Sequence, residues 1–235
     1  MHALTDRPFL SLIIPVLDES ATIAAQLAGL DPLREGNEIL VVDGGSRDAT
    51  VDLARPLVDA LICSPRGRAS QMNAGSTASR GEVLLFLHAD TTLPGNALAE
   101  IRRAIADGAL WGRFDVRIDG VHPLLRVVER LMNWRSRLTG IATGDQSIFV
   151  RREAFTAVGG FPDQLLMEDI ALSRRLRRIA RPACLHAQVV TSGRRWEKHG
   201  VLRTIVLMWA LRASYFLGAD PQRLARRYDH VPRER

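Results

Sequence analysis

Residues 10–106 alternate short apolar runs with segments of helical periodicity, and this alternation limits the possible folds more than any other feature of the chain. The run LSLIIPV is continuous enough for a strand buried on both faces, and Ile23, Leu27 and Leu30 follow it at helical spacing. Repeated strand–helix units predict an α/β domain with a mostly parallel sheet, right-handed crossovers and flanking helices. The predicted strands span residues 10–16, 38–42, 61–64 and 83–87, and later helices span 49–57, 68–79 and 96–106.

The second half of the chain changes its pattern and predicts that the sheet is mixed. Apolar and polar residues alternate over 110–118, as in a half-buried strand that runs antiparallel to a neighbour. Residues 122–138 and 169–179 have helical periodicity, and 147–150 form a further apolar run.

The C-terminal part of the chain differs from the rest in its charge. The formal net charge of +6 divides into −5 over residues 1–170, with 17 basic and 22 acidic side chains, and +11 over 171–235, with 15 and 4. This asymmetry suits an anionic partner such as nucleotide phosphates or a lipid surface, although an arginine-rich solvated surface explains it equally well. We predict one α/β domain over residues 1–199. Residues 200–235, an apolar helix and a basic tail, are either part of it or a contact with a membrane or a second subunit.

Three observations exclude other classes of protein. Cys63 and Cys184 have no zinc-site or CxxC spacing, and we predict two buried free thiols. The N-terminal segment lacks a signal pattern, so we expect a cytoplasmic location. The longest uninterrupted apolar run near the C-terminus, 205–211, is far shorter than the roughly 20 residues that span a bilayer.

Polar side chains follow the predicted strands, at the carboxyl edge where open parallel sheets bind ligands. In the segment VVDGGS, the Asp43 carboxylate can accept hydrogen bonds from a base or ribose, while the glycines let a ligand approach the backbone. The alternative is that Asp43 and Ser46 only cap the next helix. Neither a GxGxxG motif after the first strand nor a GxxxxGK[ST] motif occurs, which disfavours dinucleotide-binding and P-loop proteins.

His88 and Asp90 follow the fourth predicted strand two positions apart. Extended geometry would direct both side chains the same way, where they could share one Mn²⁺ or Mg²⁺ ion that bridges a diphosphate. The alternative is that Asp90 caps the following helix and His88 packs within the sheet.

Six segments, in order, resemble the family-2-like glycosyltransferases of the GT-A fold, and the resemblance covers roughly residues 10–195. Three of them, RGRASQMNAG, HAD and GDQ, are most similar to a small bacterial subgroup whose acceptors are generally unassigned. The six segments are LSLIIPVLDES, EILVVDGGSRDAT, RGRASQMNAG, VLLFLHADT, GDQSIFVRR and LMEDIAL.

This resemblance implies a hexosyltransferase-like enzyme that uses a nucleotide-diphosphate sugar, most commonly UDP-linked, with Mn²⁺ or Mg²⁺. Asp90 becomes the principal metal ligand, with His88 at the first position of the family's usual DxD, and His88 or His199 as a further candidate ligand. The implied donor-side residues are Pro15, Glu19, Asp43, Arg68, Asn73, His88 and Asp90, and the implied acceptor-side residues are Asp145, Gln146 and Glu168.

The pair Glu168–Asp169 resembles the family's ED pair, which implies that Asp169 is the catalytic base. It would take the acceptor's proton as the oxygen attacks the anomeric carbon, in a single displacement that inverts that centre. The alternative is an acidic pair that only stabilises a helix N-terminus. Arg194, Arg195 and Trp196 are candidates to close over the phosphates, with ordinary surface positions as the alternative for them and for His199.

Several alternatives stay open. A nucleotidyltransferase, a non-catalytic nucleotide-sugar-binding protein and a retaining transferase remain in competition with an inverting glycosyltransferase. The apolar and basic C-terminal segment suggests a lipid-linked acceptor and peripheral attachment to the inner face of a membrane, or a homodimer contact. Nucleic acid is not an expected partner, because the basic tail has no interleaved aromatic residues.

Overall fold

The structure is a computed structural model that describes residues 7–229, apart from the side chains of Arg195, His199 and Asp229. Within that range the chain forms one sheet of eight strands. The long apolar runs become its central strands, because those strands bury side chains on both faces. The strands are β1 (Leu10–Val16), β2 (Asn37–Asp43), β3 (Ala60–Cys63), β4 (Val83–Phe86), β5 (Thr91–Thr92), β6 (Trp111–Ile118), β7 (Ile148–Arg151) and β8 (Ala183–Thr191).

Helices cover both faces of this sheet, and the first of them follow the strands in the predicted alternation. Their bounds within the described range are α1 (Ile23–Ala28), α2 (Thr50–Ala54), α3 (Arg68–Ala78), α4 (Ala97–Ala106), α5 (Pro123–Thr139), α6 (Arg152–Ala157), α7 (Glu168–Leu176), α8 (Arg194–His199), α9 (Val201–Phe216) and α10 (Pro221–Asp229).

The order of the strands creates a crevice at one edge of the sheet. The order is β3-β2-β1-β4-β7-β6-β8-β5, and β1 pairs in parallel with both β2 and β4. Strand β7 is antiparallel to β4 and β6, whereas β8 is parallel to β6. The chain thus fills one side of β1 before it crosses to the other, and ligands bind outside the strand ends at such a switch point. The predicted α/β fold with a mixed, mostly parallel sheet is confirmed.

Two apolar layers hold the helices on the sheet and make the crevice rigid. Helix α3 approaches especially closely, because a Cβ at Gly75 would lie only 2.4 Å from Ile13 Cγ2 and 2.9 Å from Val42 Cγ2. On the same face, the ring of Phe86 meets that of Phe161 edge-on at 4.8 Å between centroids. Close packing of this kind holds α3 against the sheet, and its first residue, Arg68, borders the crevice.

Strand β6 corrects one prediction, since it is buried on both faces rather than half-buried. Arg113 is fully buried and forms an ion pair with Asp115, whose carboxylate also accepts two hydrogen bonds from Arg137 at 2.7 and 2.8 Å. Helix α5 covers this polar face and excludes water, so the charges are paired with one another. The predicted burial of both thiols is also wrong, because Cys63 is exposed and Cys184 is partly exposed.

Helices α9 and α10 pack against the start of α7 and against the segment that follows α5. Leu211 and Leu224 form an apolar cluster with Ile141, Met167 and Ile170. In the described range no helix has both the length and the apolar content needed to cross a membrane. The division of the chain at residue 199 stays a prediction.

Candidate active site

A cavity of about 490 Å³ lies outside the strand ends, between the sheet edge and the C-terminal helices. Its walls come from the residues that follow β4 and β8, from the start of α3, from the turn before β7 and from the first turn of α7. It brings together eight of the side chains named from the sequence, namely Arg68, His88, Asp90, Asp145, Glu168, Asp169, Arg194 and Trp196.

His88 and Asp90 have different environments, although both border the cavity. Strand β4 ends at Phe86 and residues 89–90 form a turn, so the extended geometry assumed for the pair does not persist. The buried His88 ring packs on Gly144, where a Cβ would lie 2.4 Å from His88 Nε2, and its Nδ1 lies 3.6 Å from Asp145 Oδ1. Asp90 is exposed. The histidine is therefore held by the neighbouring turn, whereas the Asp90 carboxylate is accessible to a ligand.

Asp169 is fixed by the backbone on both sides of its carboxylate. Gly144 N donates to Asp169 Oδ2 at 2.8 Å, and Ile170 N donates to Oδ1 at 2.7 Å. Helix α7 begins just after Met167, which has a left-handed φ of 64°. These contacts join the turn before β7 to α7, so the carboxylate enters the cavity in a defined position.

Burial and neighbouring charges raise the pKa of one carboxyl in the cavity and lower that of another. Burial, together with the neighbouring Asp169, raises the pKa of Glu168 to about 7. Loss of hydration alone would raise the pKa of Asp145, but the contact with His88 and the charges of Arg68 and Arg212 lower it. Near neutral pH the cavity therefore holds one carboxyl that can gain or lose a proton, that of Glu168, beside the ionised carboxylate of Asp145.

The acidic surroundings also act on Arg68. Its hydration is reduced, which would lower its pKa, yet the negative charges around it, that of Glu168 foremost, raise it. Arg68 is therefore a fixed cation at the start of α3, where a helix N-terminus adds further positive potential.

The Asp43 carboxylate forms hydrogen bonds within its own turn. Its carboxylate accepts hydrogen bonds from Gly45 N at 2.9 Å and from Ser46 N at 3.1 Å. Helix α2 begins only at Thr50, so Asp43 closes the turn and does not cap the helix. It does not line the cavity, and its contact with a nucleotide stays a prediction.

The other four named residues also lie outside the cavity wall. The side chain of Asn73 is held by Phe161, since Nδ2 donates to the Phe161 carbonyl at 2.9 Å and Oδ1 accepts from its amide at 3.0 Å. Gln146 is fully buried and caps the turn at Thr143. Pro15 is a buried position of β1. Glu19 lies close enough to Arg194 and Asp90 to interact with their charges, and burial raises its pKa.

Sequence reasoning missed two arginines, Arg135 on α5 and Arg212 on α9. Nε and Nη2 of Arg135 and Nε of Arg212 are enclosed by protein, with no hydrogen-bond partner in the described part of the chain. A buried group without a partner costs about 1–3 kcal/mol, and more if it is charged. Burial, with the charge of Arg212, lowers the pKa of Arg135 to about 10. An arginine directly after the apolar run 205–211 was the available signal for Arg212.

The cavity could hold a divalent metal only together with a ligand that supplies further oxygen atoms. Among the described side chains, no three His, Cys, Asp or Glu residues are close enough to hold an ion. The side chains of His199 and Arg195 lie outside the described set, so their predicted roles stay predictions. Mg²⁺ in phosphate-binding sites commonly uses one or two carboxylates plus substrate phosphates. The accessible carboxylate of Asp90 fits that arrangement.

The sheet order and the cavity at its switch point define a GT-A fold, as the solved structures with similar folds confirm. Residues 11–158 match the family model described as Glycosyl transferase family 2. The chain belongs to that family of glycosyltransferases. Its assignment to the small bacterial subgroup stays a prediction.

Three proteins illustrate what the chain is similar to. An undecaprenyl-phosphate 4-deoxy-4-formamido-L-arabinose transferase of Aeromonas hydrophila is 28% identical over 44% of this chain, which spans only 36% of that relative's length. The mannosyltransferase PcManGT from Pyrobaculum calidifontis, in complex with GDP-Man and Mn²⁺, has a TM-score of 0.61 and 23% identity over 79% of this chain and 57% of its own. S. aureus TarS 1–349 in complex with UDP-GlcNAc has a TM-score of 0.62 and 18% identity over 78% and 58%.

Proposed function

We propose that this protein transfers a sugar from a nucleotide-diphosphate sugar to a hydroxyl acceptor, with Mn²⁺ or Mg²⁺ and with inversion of the anomeric centre. The observation that supports this most is a single cavity lined by Arg68 and Asp90 as well as by Glu168 and Asp169. The first two suit a diphosphate and its metal, and the last two suit a hydroxyl that must lose a proton.

On the donor side, Arg68 and Arg194 bind the phosphates and Trp196 packs against the bound nucleotide. Asp90 holds the metal, which supplies positive charge for the departing nucleoside diphosphate when it is bound. UDP is the carrier that we expect from the family resemblance. Support from solved relatives extends to two carriers, because one of them holds GDP-Man and another UDP-GlcNAc.

On the acceptor side, Asp169 takes the proton as the acceptor oxygen attacks the anomeric carbon. The hydrogen bonds from Gly144 N and Ile170 N orient its carboxylate. Glu168, with its pKa raised to about 7, is the next carboxyl that can accept that proton. Because the C–O bond to the leaving phosphate breaks as the new bond forms on the opposite face, the product has the inverted configuration.

We further propose a lipid-linked acceptor, reached by peripheral attachment to the inner face of a membrane. The Aeromonas relative is named as an undecaprenyl-phosphate transferase, and helix α10 exposes basic residues. Sedimentation of the full chain with anionic but not neutral vesicles is the expected result. Equal recovery with both vesicle types would remove the membrane part of the proposal.

Slow hydrolysis of the donor tests the catalytic part without knowledge of the acceptor. NMR should show that the first free sugar released from an α-linked donor is the β-anomer, and that Asp169→Asn lowers the rate at least tenfold while donor binding persists. Release of the α-anomer would favour the retaining alternative. Donor binding without turnover would favour the non-catalytic alternative. The family match already favours glycosyl transfer over nucleotidyl transfer.

A further inference from the structure

A second cavity, of about 330 Å³, opens between helices α5 and α9 directly beside the catalytic cavity. Its walls are almost entirely apolar, and we name it the α5–α9 groove. Four residues line both cavities, namely Asp145, Trp196, Met208 and Arg212. The two spaces are therefore adjacent, and the inner end of the groove lies beside the proposed acceptor side.

The apolar character of the groove extends to the protein surface. Trp134 on α5 and Trp209 on α9 both line the groove, and each is 64% exposed. Leu131, one turn before Trp134, is also exposed along the groove. Exposed apolar surface that leads into a cavity is typical of a binding site for an apolar ligand, since an ordinary surface seldom leaves two tryptophans in water.

The inner end of the groove, in contrast, carries a net positive charge, because two arginines line it together with one carboxylate, that of Asp145. Arg135 and Arg212 line it, and neither guanidinium forms a hydrogen bond or an ion pair within the described part of the chain. The positive charge of Arg212 acts on Arg135, so the two are near neighbours. Two unpaired arginines at the end of an apolar groove favour an anionic group attached to a hydrocarbon.

We propose that the α5–α9 groove binds the hydrocarbon chain of a phosphorylated lipid acceptor, whose phosphate is held by Arg135 and Arg212. This inference rests on the proposed function, because it names the class of acceptor for the same site. The components then follow in a fixed order. The chain lies in the groove and the phosphate at the arginine pair. The reacting hydroxyl, which belongs to a group esterified to that phosphate, lies at Asp169, and the donor diphosphate lies at Arg68 and Asp90.

Farnesyl phosphate is a suitable probe, with farnesol and inorganic phosphate as the two halves of it. Binding can be followed through tryptophan fluorescence of the full chain, because Trp134, Trp196 and Trp209 all line the groove. Farnesyl phosphate should bind at least tenfold more tightly than either half. Equal affinity for farnesol would show that the arginine pair does not recognise phosphate, and equal affinity for inorganic phosphate would show that the groove does not bind the chain. Either result overturns the proposal.

Matched variants separate the two parts of the site. Arg135→Gln and Arg212→Gln should each weaken farnesyl phosphate binding about tenfold and leave farnesol binding unchanged, whereas Arg130→Gln, an exposed position on α5, should change neither. Leu131→Asp in the groove should weaken both prenyl ligands, whereas Leu138→Asp, exposed on α5 outside the groove, should not. Farnesyl phosphate binding that is unchanged in Arg135→Gln and Leu131→Asp would overturn the proposal.

Two further measurements distinguish failure of the lipid site from failure of the proposed function and from dimerisation through the groove. Thermal stabilisation by the nucleotide sugar depends on the donor side, so a protein that binds donor but not farnesyl phosphate refutes only the lipid site. Absence of donor binding as well refutes the proposed function. Concentration-dependent dimerisation that Leu131→Asp abolishes, without farnesyl phosphate binding, would show that a second copy covers the groove and would also overturn the proposal.

Discussion

Replacement of Glu168 by Gln should change how stability depends on pH. The side chain is only 5% exposed, and its pKa is about 7 in the folded protein against 4.5 for an ordinary glutamate. Each pKa unit corresponds to about 1.36 kcal/mol, so folding favours the protonated carboxyl by up to about 3 kcal/mol. Between these two pKa values the folded state binds more protons than the unfolded state. The contribution of Glu168 to stability therefore falls as pH rises from about 4.5 to about 7.

The amide in the Glu168→Gln variant resembles the protonated carboxyl at every pH. The variant should therefore not lose stability in this way as pH rises. Relative to the unmodified protein, its free energy of unfolding should rise by up to about 3 kcal/mol between pH 4.5 and pH 8, or roughly 5–10 °C in melting temperature. Urea unfolding at several pH values measures the difference directly. Glu153→Gln, at an exposed position, is the matched control and should show no such trend.

Asp169→Asn is a second control, which tests the cause of the raised pKa of Glu168. The charge of Asp169 contributes to the raised pKa of Glu168, so its removal should narrow the pH range over which stability falls. A stability difference between Glu168→Gln and the unmodified protein that stays constant from pH 4.5 to pH 8 would refute the reasoning.

Two further substitutions test how the scaffold holds the site. Asp115→Ala leaves the fully buried Arg113 without its ion-pair partner and should lower the free energy of unfolding by about 3–5 kcal/mol in urea titrations, whereas a loss below 1 kcal/mol would contradict it. Gly144→Ala places a Cβ against the His88 ring and should cost about 1–3 kcal/mol and slow donor hydrolysis, whereas Gly95→Ala, with open space around it, should be neutral. Equal effects of the two alanine variants would contradict the close packing of His88.

The parallel half of the sheet could be predicted because each of its strands is recognisable from its own residues. The runs 10–16, 38–42 and 83–87 are apolar apart from Ser11 and Glu38, and burial on both faces favours such runs. Strand β8 escaped prediction because its nine residues mix buried and exposed positions without a clear alternation. The burial of β6 on both faces also escaped prediction, because Arg113 and Asp115 look like solvent-facing residues until α5 covers them. Burial of paired charges depends on tertiary contacts that a single segment does not reveal.

The cavity residues could be predicted where polar side chains follow strands or begin a helix. Asp90, Asp145 and Asp169 lie in such segments, and the structure brings them to one cavity. Arg135 and Arg212 each lie inside a long helix and come together only through the packing of α5 against α9, which neither helix reveals alone. Arg212 then lines the cavity, and both line the α5–α9 groove. The roles of Asp43 and Asn73 in nucleotide binding remain predictions, since both side chains are engaged by backbone groups.

The central claim, that the cavity binds a nucleotide-diphosphate sugar with a divalent metal at Asp90, is tested most directly by thermal stabilisation. Purified protein and the variant Asp90→Ala would be melted with UDP, GDP and dTDP sugars, with and without Mn²⁺ or Mg²⁺. We predict a metal-dependent rise in melting temperature for one nucleotide family, equivalent to about 2.7 kcal/mol at a hundredfold excess over Kd, that is lost in Asp90→Ala but kept in Asp107→Ala. No stabilisation of the folded protein by any donor, or an equal one in Asp90→Ala, would contradict the claim.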